Sequence, residues 1–120
     1  MTTEPIVLRP DATVADALAR IRNPDLSPAL ATNELRIAYA LQPVRLLVEL
    51  RAPESVPALI TTLERRLRPH DPYRRVALAC VEGLGALGDT RARPVLNDAL
   101  AHPALAAAAA GALARIPRQR

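Results

Sequence analysis

Six groups of residues in this 120-residue chain are of types that could do chemistry. Gly83-Leu84-Gly85-Ala86-Leu87-Gly88 fits the G-x-G-x-x-G spacing with which dinucleotide-binding folds bring backbone N–H groups against a pyrophosphate. That fingerprint follows a strand and opens a helix, whereas these glycines close an amphipathic stretch and precede a helix-start signal at Asp89-Thr90. Helix packing and a C-terminal glycine stop therefore account for them better. Cys80 is the single cysteine, so neither an intramolecular disulfide nor a thiolate metal cluster can be assembled. It is a nucleophile, an attachment thiol, or, as its core-facing position suggests, a small buried hydrophobe.

His70 and His102 each lie beside a proline, with no second His at ligand spacing and no Cys pair, so no metal and no cofactor is expected. Ser27 and Ser55 fall at predicted helix starts, where capping explains them, and this leaves no serine for a Ser/His/Asp site. The acidic residues are interspersed with arginines, the pattern of solvated helix faces, and no catalytic role is assigned. The chain is read as a binding protein and not an enzyme.

The last group is the basic cluster Arg65, Arg66, Arg68, His70, Arg74 and Arg75. Its plainest explanation is a solvated face, because arginines late in a helix oppose the macrodipole and Glu64 and Asp71 lie near as partners. Its functional alternatives are an acidic partner protein and a phosphate backbone. With no Trp or Phe anywhere and only Tyr73 inside the cluster, little is available for base stacking. Another protein is thus the expected partner, and nucleic acid is the alternative, bound through its backbone alone.

The elements that must position these groups are helical. Half of the residues are apolar, yet the only aromatics are Tyr39 and Tyr73, so the core is built from Leu, Ala, Val and Ile, and Ala and Leu favour helix over strand. All sixteen basic side chains are Arg, a bias that fits a GC-rich bacterial genome, and the formal net charge is +4. The N-terminus has neither a basic n-region nor an apolar h-region, and no stretch approaches the roughly 18–20 apolar residues that span a bilayer. The expected setting is the cytoplasm, without membrane contact.

Comparison of the chain with itself exposes a repeat. A shift of 37 superposes Ala40, Leu41, Val44, Leu47, Leu50, Pro57, Leu59 and Leu63 on identical residues at 77, 78, 81, 84, 87, 94, 96 and 100. A shift of 29 sets Arg22, Pro24, Pro28, Ala29, Leu30 and Thr32 on Arg51, Pro53, Pro57, Ala58, Leu59 and Thr61, and another sets Val76, Ala77, Leu84 and Leu87 on Leu105, Ala106, Leu113 and Ile116. Units therefore span about 10–38, 39–75 and 76–104, with a terminal half unit at 105–116, in one domain from 10 to 120. Residues 1–9, with Ile6-Val7-Leu8, form an extended arm.

Within each unit two helices are predicted. One core face should carry Tyr39, Pro43, Leu47 and Leu50, and its counterparts Val76, Cys80, Leu84 and Leu87, then Leu105, Ala109, Leu113 and Ile116. Second helices show stripes at Val56, Leu59, Ile60, Leu63 and Leu67, and at Val95, Leu96, Ala99 and Leu100. Thr13 with Asp16 forms a capping box, and Asp71-Pro72 and Asp89 or Thr90 start later helices. The expected helices cover 13–22, 27–33, 34–51, 54–68, 72–87, 90–102 and 103–116, with a kink at Pro43. The longer second unit carries extra connection through Arg65 to His70.

The run Val76 to Asp89 followed by Arg93-Pro94-Val95-Leu96 resembles a HEAT repeat, most closely the short bacterial type of phycobilisome lyase-like proteins. The resemblance extends to 39–67, partly to 105–116, and in phase to 10–34. It implies an all-α fold, an α-solenoid of antiparallel helix pairs (a HEAT/armadillo-like superhelix) of about three and a half repeats, whose groove holds another protein. An Arg that commonly follows the first apolar residue of helix one is Ala40, Ala77 and Ala106 here, so a shared inter-repeat Arg ladder is not expected. The favoured function is a small adaptor or scaffold; an accessory subunit of a larger enzyme is a further alternative. Ala104 through Ala112 is nearly all small residues in a last helix without a partner helix, which caps the fold or forms a homodimer surface.

Overall fold

The computed structural model describes residues 13–22, 33–67 and 74–117. Among them are six α-helices, α1 Val14–Arg22, α2 Asn33–Leu50, α3 Ser55–Arg66, α4 Arg74–Leu87, α5 Arg93–Ala99 and α6 Pro103–Arg115, with a single 3-10 turn at Thr90–Ala92 and no strand. These match the expected helices within a few residues at each end. The predicted helix at 27–33 short of Asn33, the arm at 1–9, the Asp71-Pro72 cap, and Arg68 and His70 lie outside the described residues.

The helix starts form for local reasons. Thr13 and Asp16 make the expected capping box: the Thr13 N–H donates to Asp16 Oδ2 at 2.9 Å, and the Asp16 N–H donates to Thr13 Oγ1 at 3.3 Å. Asp89 caps the 3-10 turn by accepting from the Arg91 N–H at 2.8 Å. The Arg91 guanidinium also donates to Asp89, and these hydrogen bonds hold the Asp89 carboxyl below its usual range. Ser55 departs from expectation. It is fully buried at the start of α3 but does not cap that helix; its hydroxyl donates back to the Leu47 carbonyl in the last turn of α2, at 2.7 Å.

The ends of α2 and α4 are built alike. Arg51 (φ 51°) and Gly88 (φ 69°) both adopt the left-handed conformation, and their N–H groups donate to the carbonyls of Leu47 and Leu84. These positions are 37 residues apart, the offset found in the sequence. The same offset relates the buried pairs Val44 and Val81, Leu47 and Leu84, and Leu59 and Leu96. It fails at Leu63 and Leu100: Leu63 is buried inside α3, whereas α5 already ends at Ala99 and leaves Leu100 40% exposed. Leu50, expected on the core face, is 42% exposed, because the chain turns away at Arg51 directly after it. Tyr39, Leu87 and Leu113 are half-buried, and the core positions of α6 are Leu105, Ala109, Ala112 and Ile116.

Packing follows chain order. α1 lies on α2, α2 on α4 and α4 on α6, while α3 packs on α4, α1 and α5, and α5 packs on α6. With aliphatic side chains alone in the core, the helices approach closely where residues are small. A Cβ at Gly83 would stand 2.5 Å from Val48 Cγ2 of α2, and one at Gly85 2.8 Å from the Ala112 Cα and Cβ of α6. The G-x-G-x-x-G run is thus two interhelical contacts and a helix stop. Gly85→Ala should lower stability by about 1–3 kcal/mol in chemical denaturation, because the new methyl meets backbone that cannot swing aside. Gly111→Ala, at a helical position with nothing within 4 Å, should raise it by about 0.5–1 kcal/mol. Equal shifts for the two variants would contradict the close approach of α4 and α6.

Candidate partner-binding surface

Arg65 and Arg66 lie in the last turn of α3, where the helix dipole favours cations, and Arg74 and Arg75 open α4. Part of the extra length of the second unit is therefore helix: α3 runs on to Arg66, whereas α5 stops at Ala99. Arg65, Arg74 and Arg75 are exposed and Arg66 is half-buried. Arg65 makes no hydrogen bond or ion pair among the described residues.

Two residues of this cluster border a depression. Arg65 and Arg66 line a depression of about 40 Å³ together with Arg20, Ile21, Tyr39, Ala40, Pro43, Thr62 and Val76, and neither Arg74 nor Arg75 contributes to it. A larger open cleft of about 540 Å³ adjoins it, lined by Ile21, Glu54, Pro57, Ala58, Thr61, Thr62 and Arg65. Ile21, Thr62 and Arg65 border both, so the two depressions adjoin, and the larger is a groove between α1 and α3. Thr62 Oγ1 is turned back onto its own helix, donating to the Ala58 carbonyl at 2.9 Å.

Neither Arg20 nor Tyr39 was among the candidate binding residues read from sequence, where Tyr39 was placed on the core face, and both help to build this surface. The Arg20 guanidinium lies 3.5 Å from the centre of the Tyr39 ring, and its Nη2 donates to the Tyr39 carbonyl and, at 2.9 Å, to Gln42 Oε1. The carbonyl it takes belongs to the residue four before Pro43. A proline has no N–H to give to that position, so the carbonyl is without its helical donor, and Arg20 of α1 supplies one. α2 runs as one helix from Asn33 to Leu50 through Pro43. Burial lowers the Arg20 pKa from the usual guanidinium value, and Tyr39 partly offsets this. Pro43 itself was the available signal in the sequence, since it orphans the Tyr39 carbonyl; what would fill the gap was not readable.

Cys80 is fully buried in α4, in the slot that Pro43 and Ala109 occupy in α2 and α6. Burial pushes its thiol up to about 12, with the Arg66 charge acting weakly in the opposite sense. Among the described residues no three His, Cys, Asp or Glu side chains come together in a group that could hold a metal ion. None of the described helices is long and apolar enough to cross a membrane. The outward positions of α6, Ala104, Ala107, Ala110 and Gly111, are exposed.

Residues 76–102 match the family model of the PBS lyase HEAT-like repeat. The chain carries a HEAT-like repeat. No curated protein and no solved structure matches the chain. The HEAT-like unit comprises α4 from Val76, the 3-10 turn and α5, and it begins where the third unit of the internal register begins. The groove and the depression it adjoins are lined mainly by α1, α2 and α3, and Val76 is the one matched residue that borders them among the described residues.

Two outcomes are expected from this geometry. Arg20→Ala should cost about 1–3 kcal/mol of stability on its own. It should cost clearly less in a Pro43→Ala background, where the restored N–H takes the Tyr39 carbonyl; a double-mutant cycle with no coupling would remove the assigned role of Arg20. The Cys80 thiol should react with an aromatic disulfide reagent at least about a thousandfold more slowly in the native chain than in denaturant, since reaction requires opening of the core.

Proposed function

We propose that the helices form a short solenoid of antiparallel pairs, with three repeats and a terminal half repeat, and that the chain works as an adaptor that binds another protein. The order of contacts supports the solenoid. α1, α2, α4 and α6 touch in succession as one row, and α3 and α5 touch as a second row beside it. The smallest dimension of the molecule, 17 Å against 53 and 30 Å, is close to the roughly 15 Å that the backbones of two helix layers occupy. The identical caps at Arg51 and Gly88 add a structural repeat to the sequence repeat.

One observation carries the binding function: the groove between α1 and α3 is lined by the exposed Arg65, which makes no hydrogen bond or ion pair among the described residues, together with Ile21, Pro57 and Ala58. A charged group at the edge of an apolar concave surface recognises a partner by shape and charge, with no bond made or broken. HEAT-like repeats commonly serve as scaffolds for protein interactions, and this chain presents such a surface next to its HEAT-like unit.

Affinity capture with the wild-type chain and with an Arg65→Glu/Arg66→Glu variant, both after nuclease treatment, tests this. A specific protein prey should be recovered by the wild type and reduced about tenfold or more by the double reversal. Recovery unchanged by the reversal would move the binding surface away from the groove. Retardation of DNA or RNA that falls steeply with salt, with no protein prey, would replace the adaptor by a phosphate-backbone binder.

A further inference from the structure

We propose that arginines latch successive units together: Arg20, Arg51 and Arg93 each reach from one unit to the first helix of the next and donate to a carbonyl that lacks its ordinary helical donor. The latches couple α1, α2, α4 and α6, which touch in that order, into one conformational unit, and Arg93 holds α6 to the rest. The units are those of the sequence register, and the inference needs neither a partner nor the adaptor function.

The acceptors explain the pattern. Tyr39 and Leu113 each stand four residues before a proline, Pro43 and Pro117, so the N–H that would close their helical bond is missing. Arg20 Nη2 donates to the Tyr39 carbonyl. Arg93 Nη1 donates to the Leu113 carbonyl at 3.3 Å and to the Ile116 carbonyl, just past the end of α6, at 3.1 Å. The Ile116 N–H shares the Leu113 carbonyl, at 3.2 Å. Arg51 Nη2 donates to the Ala86 carbonyl, in the last turn of α4, at 3.5 Å. That carbonyl is among the four that a helix end leaves without an intrahelical donor. The ends of α4 and α6 also carry the negative pole of the helix dipole, which favours a guanidinium.

The latches occupy different positions of the repeat, so comparison of the sequence with itself does not show them. The place of Arg51 in the second unit is taken by Gly88 in the third. The glycine ends α4 in the left-handed conformation but has no side chain to send forward, and Arg93, five residues on, reaches α6 instead. Arg93 is half-buried and opens α5, where the helix dipole disfavours a cation, so the contact with α6 accounts for its place. The buried residues of that last helix and its cap are Leu105, Ala109, Ala112 and Ile116. Its two alanines bury little apolar area, and the polar bonds carry a larger share of its attachment. Arg91 is the natural comparison, because its guanidinium is bonded to Asp89 of its own unit.

The test is native-state hydrogen exchange of the full chain, followed by amide NMR. In the unaltered chain the slowest amides of α4 and α6 should open together as denaturant is raised below the unfolding transition. Arg93→Met, which keeps an unbranched stem and removes the guanidinium, should speed the slowest α6 amides at least about tenfold more than those of α4. Arg91→Met should leave the two helices exchanging together. Arg51→Met, which removes the longest of these bonds, should separate α4 from α2 by a smaller factor. Equal acceleration of α4 and α6 in Arg93→Met, no acceleration of α6 in that variant, or separate opening of α6 in the unaltered chain would each overturn the proposal. The last of these is read without any substitution, so it does not depend on how a variant folds.

Discussion

Helix α4 touches α2, α3 and α6, and it reaches two of them through glycines. The chain has no Phe or Trp, so nothing bulky holds the helices apart or fills the space between them, and the core depends on close approach. Gly83 admits Val48 of α2, and Gly85 admits the backbone of α6 at Ala112. Leu84, Val81 and Cys80 between and before them are fully buried. The spacing of α4 from its neighbours thus sets where α2 and α6 stand. Because α3 packs on α4 as well, it also sets where the groove-bearing helix stands relative to α2.

A second constraint joins α1 to this arrangement. Pro43 occupies a buried position in α2 and leaves the Tyr39 carbonyl without a helical donor, and the Arg20 side chain fills the gap while lying on the Tyr39 ring. One arginine therefore satisfies a backbone group, shields an aromatic face and fixes α1 on α2. It also shapes the groove, since Arg20 and Ile21 bring α1 to the edge along which Arg65 lies. Ile21 and Arg65 owe their juxtaposition to this bond as much as to α3 itself.

The unequal second unit ties the repeat to the candidate site. In the HEAT-like unit the second helix, α5, is short and its Leu100 emerges exposed, whereas α3 continues another turn, keeps Leu63 buried and presents Arg65 and Arg66. An extension that sequence reasoning read as connecting chain is partly helix. That difference matters, because a helical Arg65 is held in register with Pro57, Ala58 and Thr61 on one face, at the spacing of successive turns.

The sequence by itself determined the helical class, the register of its units, and the features whose cause is local. The Thr13 and Asp16 capping box, the Asp89 cap, the glycine stop at Gly88 and the burial of Cys80 all follow from residues within a few positions of one another, so spacing along the chain was enough to read them. The basic cluster was visible as composition, but its surroundings were not. That Arg65 and Arg66 line a depression with Arg20 and Tyr39 was decided only by the tertiary structure. So was the use of Ser55, which the sequence marked as a cap and which bonds instead to the helix before it. The physical reason is the same in each case: which partner a long side chain or a buried hydroxyl meets depends on how helices cross, and crossing is fixed by packing at residues such as Gly85 and Ala112 that lie far along the chain from the groups they bring together.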